Sequence, residues 1–155
     1  MLSISQISAQ ILLGSSPKDI RDVRELFEKH AVDSVLSLQT DADLRIRKIN
    51  IELLKQHYQQ RKMNFFRFPI DDVDPEDMVE KILQPIEYLG QQIQLGKTVY
   101  VHCNAGICRA PSTVLGYLTL FEGMDLTEGL HYIRQRRAFA NPYVAAVREA
   151  LEESS

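Results

Sequence analysis

"VYVHCNAGICRAPST", residues 99–113, is the stretch that decides the fold. Its first four residues, β-branched and aromatic up to His102, form a strand pattern. Residues 104–106 are small and let the backbone curl, and Gly106 is free to take positive φ. From Arg109 the pattern turns helical. A strand, a tight loop and a helix in that order put the loop at a sheet's carboxyl edge, where open α/β folds bind ligands. The curl points successive N–H groups inward as an anion nest, and the first helical turn adds free N–H groups and positive dipole. Asn104, Ala105, Gly106, Ile107, Cys108 and Arg109 are therefore candidate ligands of a phosphate-sized dianion. Cys103 lies at the floor of this electropositive bowl, which favours the thiolate, a nucleophile. Arg109 offers a planar fork of donors suited to two phosphoryl oxygens, in the transition state as well as the ground state.

Outward from that stretch, strands alternate with helices. "QILLG" (10–14) reads as a short strand, and apolar residues at helical spacing follow from Pro17 to about His30. "AVDSVLSL" (31–38) reads as a buried strand and "QTDADLRIRK" (39–48) as a polar loop. A helix follows to about Lys62, then the strand "NFFRFP" (64–69). An acidic loop, "IDDVDPEDM" (70–78), enters a helix at Pro75 that must bend or restart at Pro85. After the strand at 98–102, three helices are expected at 109–122, 126–137 and 142–153. Asp125 and Glu128 suggest a capping box for the second, and Asn141–Pro142 an N-cap and N1 for the third. The expectation is an α/β fold, a central, mainly parallel sheet of four to five strands flanked by helices, in a single domain over residues 1–155.

Composition narrows the function. A net charge of −3 argues against a dedicated nucleic-acid binder. No apolar run approaches the roughly 20 residues of a bilayer span. The absence of a basic residue before Lys18 argues against a secretory or transit leader, so a cytoplasmic location is expected; a monomer is expected as well. Two cysteines form no disulfide framework, and the Cys103–Cys108 spacing with scattered histidines fits no zinc site. "LGQQIQLGKT" fails the spacing of a nucleotide P-loop and precedes its strand instead of following one. The acidic cluster at 71–77 lacks the glycine and late glutamate of a calcium loop. Neither a metal nor another cofactor is expected. The basic groups Arg45, Arg47, Lys48 and Arg134, Arg136, Arg137 are either solvated faces or a local attraction for an anionic substrate.

"VHCNAGICR" resembles the HCxxGxxR signature of the cysteine-based protein phosphatases, and its Ala-Gly resembles the dual-specificity branch. The resemblance implies a dual-specificity phosphatase fold and a phosphocysteine intermediate without metal, with His102 orienting Cys103. It also implies an aspartate acid on the loop about thirty residues before the cysteine. In "FPIDDVDPEDM" the register favours Asp72, with Asp71 and Asp74 as alternatives. Beyond the motif, "ILLGSSPKDIRDVRELFEKHAVDSVLSLQTDADL" is similar to glucan phosphatases of the plant starch and laforin type, which implies phosphoglucan beside phosphoprotein as substrate. Arg109-Ala110-Pro111 is likewise similar to the plant starch enzymes. Two departures from that type are present: Val73 stands where the starch enzymes carry an aromatic, and the chain leaves no room for a carbohydrate-binding module. Ala110 stands where most of the superfamily has a hydroxyl that donates to the cysteine sulfur, which implies a slower second step and, as an alternative function, a phosphate-recognition module with impaired turnover. Cys108 is either a small filler or the redox partner of Cys103 in a reversible disulfide.

Overall fold

The computed structural model describes residues 1–155. The chain runs β1 (Ile4–Gln6), β2 (Ile11–Gly14), α1 (Ile20–Arg24, continuing as a π-helical turn, Glu25–Lys29), β3 (Ser34–Ser37), α2 (Asp41–Ile46), α3 (Ile51–Gln60) and β4 (Asn64–Arg67). Then follow α4 (Pro75–Lys81), α5 (Leu83–Gln94), β5 (Val99–His102), α6 (Arg109–Glu122), α7 (Leu126–Arg136) and α8 (Val144–Ser154). The five strands form one sheet in the order β1-β2-β5-β3-β4. β2, β5, β3 and β4 are parallel, and β1 pairs antiparallel with β2 at the edge. The mainly parallel α/β sheet is therefore as expected, with β1 an addition.

Strand alternation sends successive side chains to opposite faces. Leu13, Leu36, Val99 and Val101 pack with Ile82, Ile86, Leu89, Val114 and Leu115 from α5, α6 and their approaches. Leu12, Val35 and Tyr100 face the other way, onto Val23, Leu26, Leu54 and Tyr58 of the α1–α3 layer. Cover on both faces explains the unbroken apolar runs of these strands. Each such Leu, Ile or Val, fully buried, contributes about 1.5–3 kcal/mol of transfer free energy.

Three local expectations change. The helix after Pro75 does break, but at Ile82. Pro85 has no N–H to give to the carbonyl of Lys81 four residues earlier, so α4 stops there. Residues 39–48 are not all loop: Thr40 and Asp43 form a reciprocal capping box that starts α2. Asn141 does not cap the last helix, which begins at Val144. Its own N–H is committed to the carbonyl of Ile107 instead.

All four parallel strands end at the same edge of the sheet. The segments that follow β2, β3, β4 and β5 converge there, and this convergence builds the site.

Candidate active site

The loop from Cys103 to Cys108 leaves the central strand β5 and enters α6. Every one of its six carbonyls is bound from behind. Cys103 O lies 3.0 Å from His102 Nδ1. Asn104 O accepts from Ser16 N at 3.0 Å. Ala105 O and Gly106 O accept from Arg137 Nη2 and Nε at 3.0 and 2.8 Å. Ile107 O accepts from Asn141 N at 2.6 Å and Cys108 O from Ser112 N at 2.9 Å. In a trans peptide the C=O and the next N–H point to opposite sides. Holding six carbonyls outward therefore turns the N–H groups of residues 104–109 inward. None of those six N–H groups donates to any acceptor in the protein. A concave row of N–H groups left unspent by the protein and facing an open cavity is the shape of an anion-binding nest.

Gly106 has φ +70°, and a Cβ there would sit 2.6 Å from the backbone of Gly14. The loop rests directly on the end of β2, an approach that only glycine permits.

A cavity of about 330 Å³ opens over the loop, lined by Cys103, Asn104, Ala105, Ile107, Cys108 and Arg109 and rimmed by Arg47, Asp72, Val73, Asn141 and Tyr143. No histidine lines it. Burial and the Arg109 charge depress the His102 imidazole to about 4, the adjacent carbonyl opposing them, so the ring is neutral. Its Nδ1 then carries the proton toward Cys103 O, which fixes the backbone of Cys103 and leaves its sulfur free of the ring. Burial pushes the Cys108 thiol up to about 11, with Asp72 and Cys103 adding to it. Both cysteines are free thiols.

Arg109 is fully buried. Its Nη1 donates to Asp43 Oδ2 at 2.7 Å, to Ile70 O at 2.9 Å and to Leu38 O at 3.3 Å. Its Nε lies 3.1 Å from Asp72 Oδ1 without hydrogen-bond alignment, and Nη2 has no partner. One edge of the guanidinium is thus anchored and the other is unspent. The acidic loop sorts its carboxylates by task. Asp71 accepts from Val73 N in a tight turn. Asp74 caps α4 through Glu76 N and Asp77 N. Asp72 alone reaches the cavity, half-exposed, with its carbonyl held by Tyr143 Oη at 2.9 Å.

Several contributors were not singled out from the sequence. Asp43, carried by α2, binds Arg109 and also accepts from Asn104 Nδ2 at 2.9 Å. The Thr-x-x-Asp spacing that forms its capping box was the available signal. Arg137 is not solvated but buried, bound behind the loop. Ser16 and Asn141 act through their backbone N–H groups, which leave no mark in side-chain chemistry. Ser112 does not replace the hydroxyl missing at Ala110. Its Oγ donates to Cys108 O at 2.7 Å and accepts from Tyr143 N at 2.9 Å.

Burial disfavours the Asp43 carboxylate, but hydrogen bonds from Arg109, Thr40 N and Asn104 outweigh it and bring the carboxyl down to about 2. A folded value below the ordinary one of about 3.9 stabilises the fold above pH ~4 and ceases to as pH falls toward 2. Asp43→Asn is expected to lower stability by about 2 kcal/mol at pH 7. Urea unfolding should show the gap between variant and parent closing between pH 4 and 2.

Six unspent loop N–H groups, a cysteine lining the same cavity and an anchored arginine thus meet at the carboxyl edge of an α/β sheet. The family model for the dual specificity phosphatase catalytic domain matches residues 13–152, and the chain belongs to that family. It is 27% identical to laforin of Mus musculus over 143 residues, covering 86% of this chain and 43% of laforin. It is 25% identical to the human serine/threonine/tyrosine-interacting protein over 153 residues, 96% of this chain and 63% of that protein. The chain thus spans about half the length of these curated relatives. The solved structure of PTPMT1 in complex with PI(5)P superposes with a TM-score of 0.80 at 19% identity, covering 96% of this chain and 92% of that one, and shares the fold. No helix here is long and apolar enough to cross a membrane.

Proposed function

We propose that residues 1–155 form one catalytic unit, a cysteine-dependent phosphomonoesterase of dual-specificity type. The observation that carries this reading is the set of six inward N–H groups, none with a protein acceptor, around Cys103 and beside the unspent Nη2 of Arg109. In the first step the Cys103 thiolate attacks phosphorus, an S–P bond forms and the ester P–O bond breaks. The departing oxygen takes the electron pair and a proton from the Asp72 carboxyl. In the second step water attacks phosphorus, Asp72 takes its proton, the S–P bond breaks and Cys103 returns as thiolate with release of inorganic phosphate. The loop N–H groups and Arg109 hold the three equatorial oxygens throughout, where charge stabilisation counts most. No step calls on a metal or other cofactor.

The substrate class we assign is a phosphoprotein or phosphoglucan monoester, with a cytoplasmic location and a monomeric state. The similarity to laforin supports the glucan arm. In this reading Cys108 contributes its N–H to the cradle. As a redox partner it would meet oxidised Cys103 slowly, because its thiol stays protonated near neutral pH. Ala110 supports a second reading, a phosphate-recognition module with impaired turnover, because no hydroxyl of residue 110 or 112 serves the cysteine sulfur.

Rapid-quench turnover of p-nitrophenyl phosphate, with mass analysis of the Cys103 peptide, separates the two. The enzyme reading expects a burst of p-nitrophenol matching enzyme concentration and phosphate on Cys103, followed by steady turnover. A burst without turnover selects the recognition module, and no phosphorylated Cys103 at any time overturns both. A panel of phosphotyrosine peptide, phosphothreonine peptide and solubilised phosphoglucan then ranks the substrates.

A further inference from the structure

Arg137, at the end of α7, is a large charged side chain placed where charge is costly. It is 2% exposed. No carboxylate pairs with it, unlike Arg109. Its guanidinium donates to neutral oxygens only. Nε reaches Gly106 O at 2.8 Å and Nη2 reaches Ala105 O at 3.0 Å. Nη1 reaches Ser5 Oγ at 2.9 Å and Leu13 O at 3.5 Å, and Nη2 also reaches Ser3 Oγ at 3.0 Å. The Phe139 ring, 4.5 Å away, covers its face. Burial lowers its pKa, but a guanidinium starts so high that it stays charged.

A buried ion ordinarily demands a counter-ion. Here the missing negative charge has an evident place on the other side of the loop, in the cradle.

We propose that Arg137 is a positioning residue of the phosphate site. It fixes the Ala105 and Gly106 carbonyls outward, which turns the N–H groups of Gly106 and Ile107 into the cradle. Its uncompensated charge favours an anion there, whether the Cys103 thiolate or a bound phosphoryl group. Ser3 and Ser5 complete its coordination, so the edge strand β1 belongs to the site although it lines none of the cavity floor. This inference rests on the assignment of Cys103 and the loop as a phosphate site.

The test compares wild type, Arg137→Lys, Arg137→Met and the double variant Ser3→Ala/Ser5→Ala. Two quantities are read besides thermal stability. One is the midpoint pH of Cys103 alkylation by iodoacetamide, followed on the Cys103 peptide so that Cys108 does not intrude. The other is orthovanadate affinity, read as protection against that alkylation. Arg137→Met is expected to raise the midpoint and weaken vanadate roughly tenfold or more, the loss of charge-assisted bonds to the loop. Arg137→Lys keeps the charge and is expected to keep the midpoint, while losing several-fold in vanadate affinity because an ammonium cannot span both carbonyls. The serine double variant should weaken vanadate less than Arg137→Met, in the same direction.

A merely structural role would lower thermal stability and leave midpoint and vanadate affinity at wild-type values, and that result overturns the proposal. If Arg137→Met does not fold, unchanged vanadate affinity in both other variants overturns it equally. Absence of vanadate protection in the wild type instead sinks the phosphate-site assignment, and the Arg137 proposal with it.

Discussion

Cys103→Ser is expected to bring hydrolysis of p-nitrophenyl phosphate down to background, at least ~10³-fold below the parent protein. The substitution exchanges sulfur for oxygen in a 3% exposed position and disturbs no carbonyl of the loop. A hydroxyl ionises far less readily than a thiol, so the nucleophile is lost while the cradle persists. Orthophosphate binding, measured by calorimetry or by thermal shift, should therefore survive in the inactive variant. Equal hydrolysis by both proteins would remove Cys103 from the mechanism. Loss of phosphate binding along with activity would mean that the substitution had damaged the cradle.

Asp72→Asn is the second large effect. An amide of the same shape keeps the loop and the Tyr143 contact to the Asp72 carbonyl, but supplies no proton. General acid catalysis is worth about 10²–10⁴-fold, which sets the expected fall in kcat for an alkyl or phenyl phosphate. With p-nitrophenyl phosphate, whose leaving group departs readily without a proton, the loss should be much smaller. The contrast between the two substrates is the diagnostic. A uniform loss on both would assign Asp72 to substrate placement. Asp71→Asn and Asp74→Asn should instead act on stability, through the turn and the α4 cap.

Much of the fold was legible because its determinants are local. The strands are buried on both faces and read as continuous apolar runs, and the helices show apolar residues at helical spacing. The edge strand β1 was not legible: "ISQ" is three residues with a polar majority, held by its partner β2 rather than by its own pattern. The same division runs through the site. Cys103, Arg109 and the small residues between them announced a curled loop, because the chemistry and the turn lie in one stretch. Register narrowed the acidic loop to Asp72 as the proposed acid, and that proposal is consistent with its place at the cavity, while Asp71 and Asp74 accept from backbone N–H groups. Asp43, Ser16, Asn141 and Arg137 escaped for a different reason. Each meets the loop only after the segments following separate elements converge, and two of them act through main-chain atoms that every residue has. Arg137 was weighed only as surface or substrate attraction, because its sequence neighbours Arg134 and Arg136 suggested a solvated run. Arg136 does stack over Tyr132 on the outside at 3.8 Å, whereas one residue further the helix has ended and the side chain points inward.

The carbonyl brace has a kinetic corollary. Beside the local donors His102 and Ser112, its donors come from residues 16, 137 and 141, with Gly14 as the seat, so the loop is also tied to points far apart along the chain. Contacts of such long sequence separation close late in folding, since their loop entropy must be overcome first. A nascent or partly folded chain can hold β5 and α6 and still lack the brace. Recovery of catalysis during refolding should therefore lag behind recovery of helical circular dichroism, with anion binding returning only when both ends of the chain have docked.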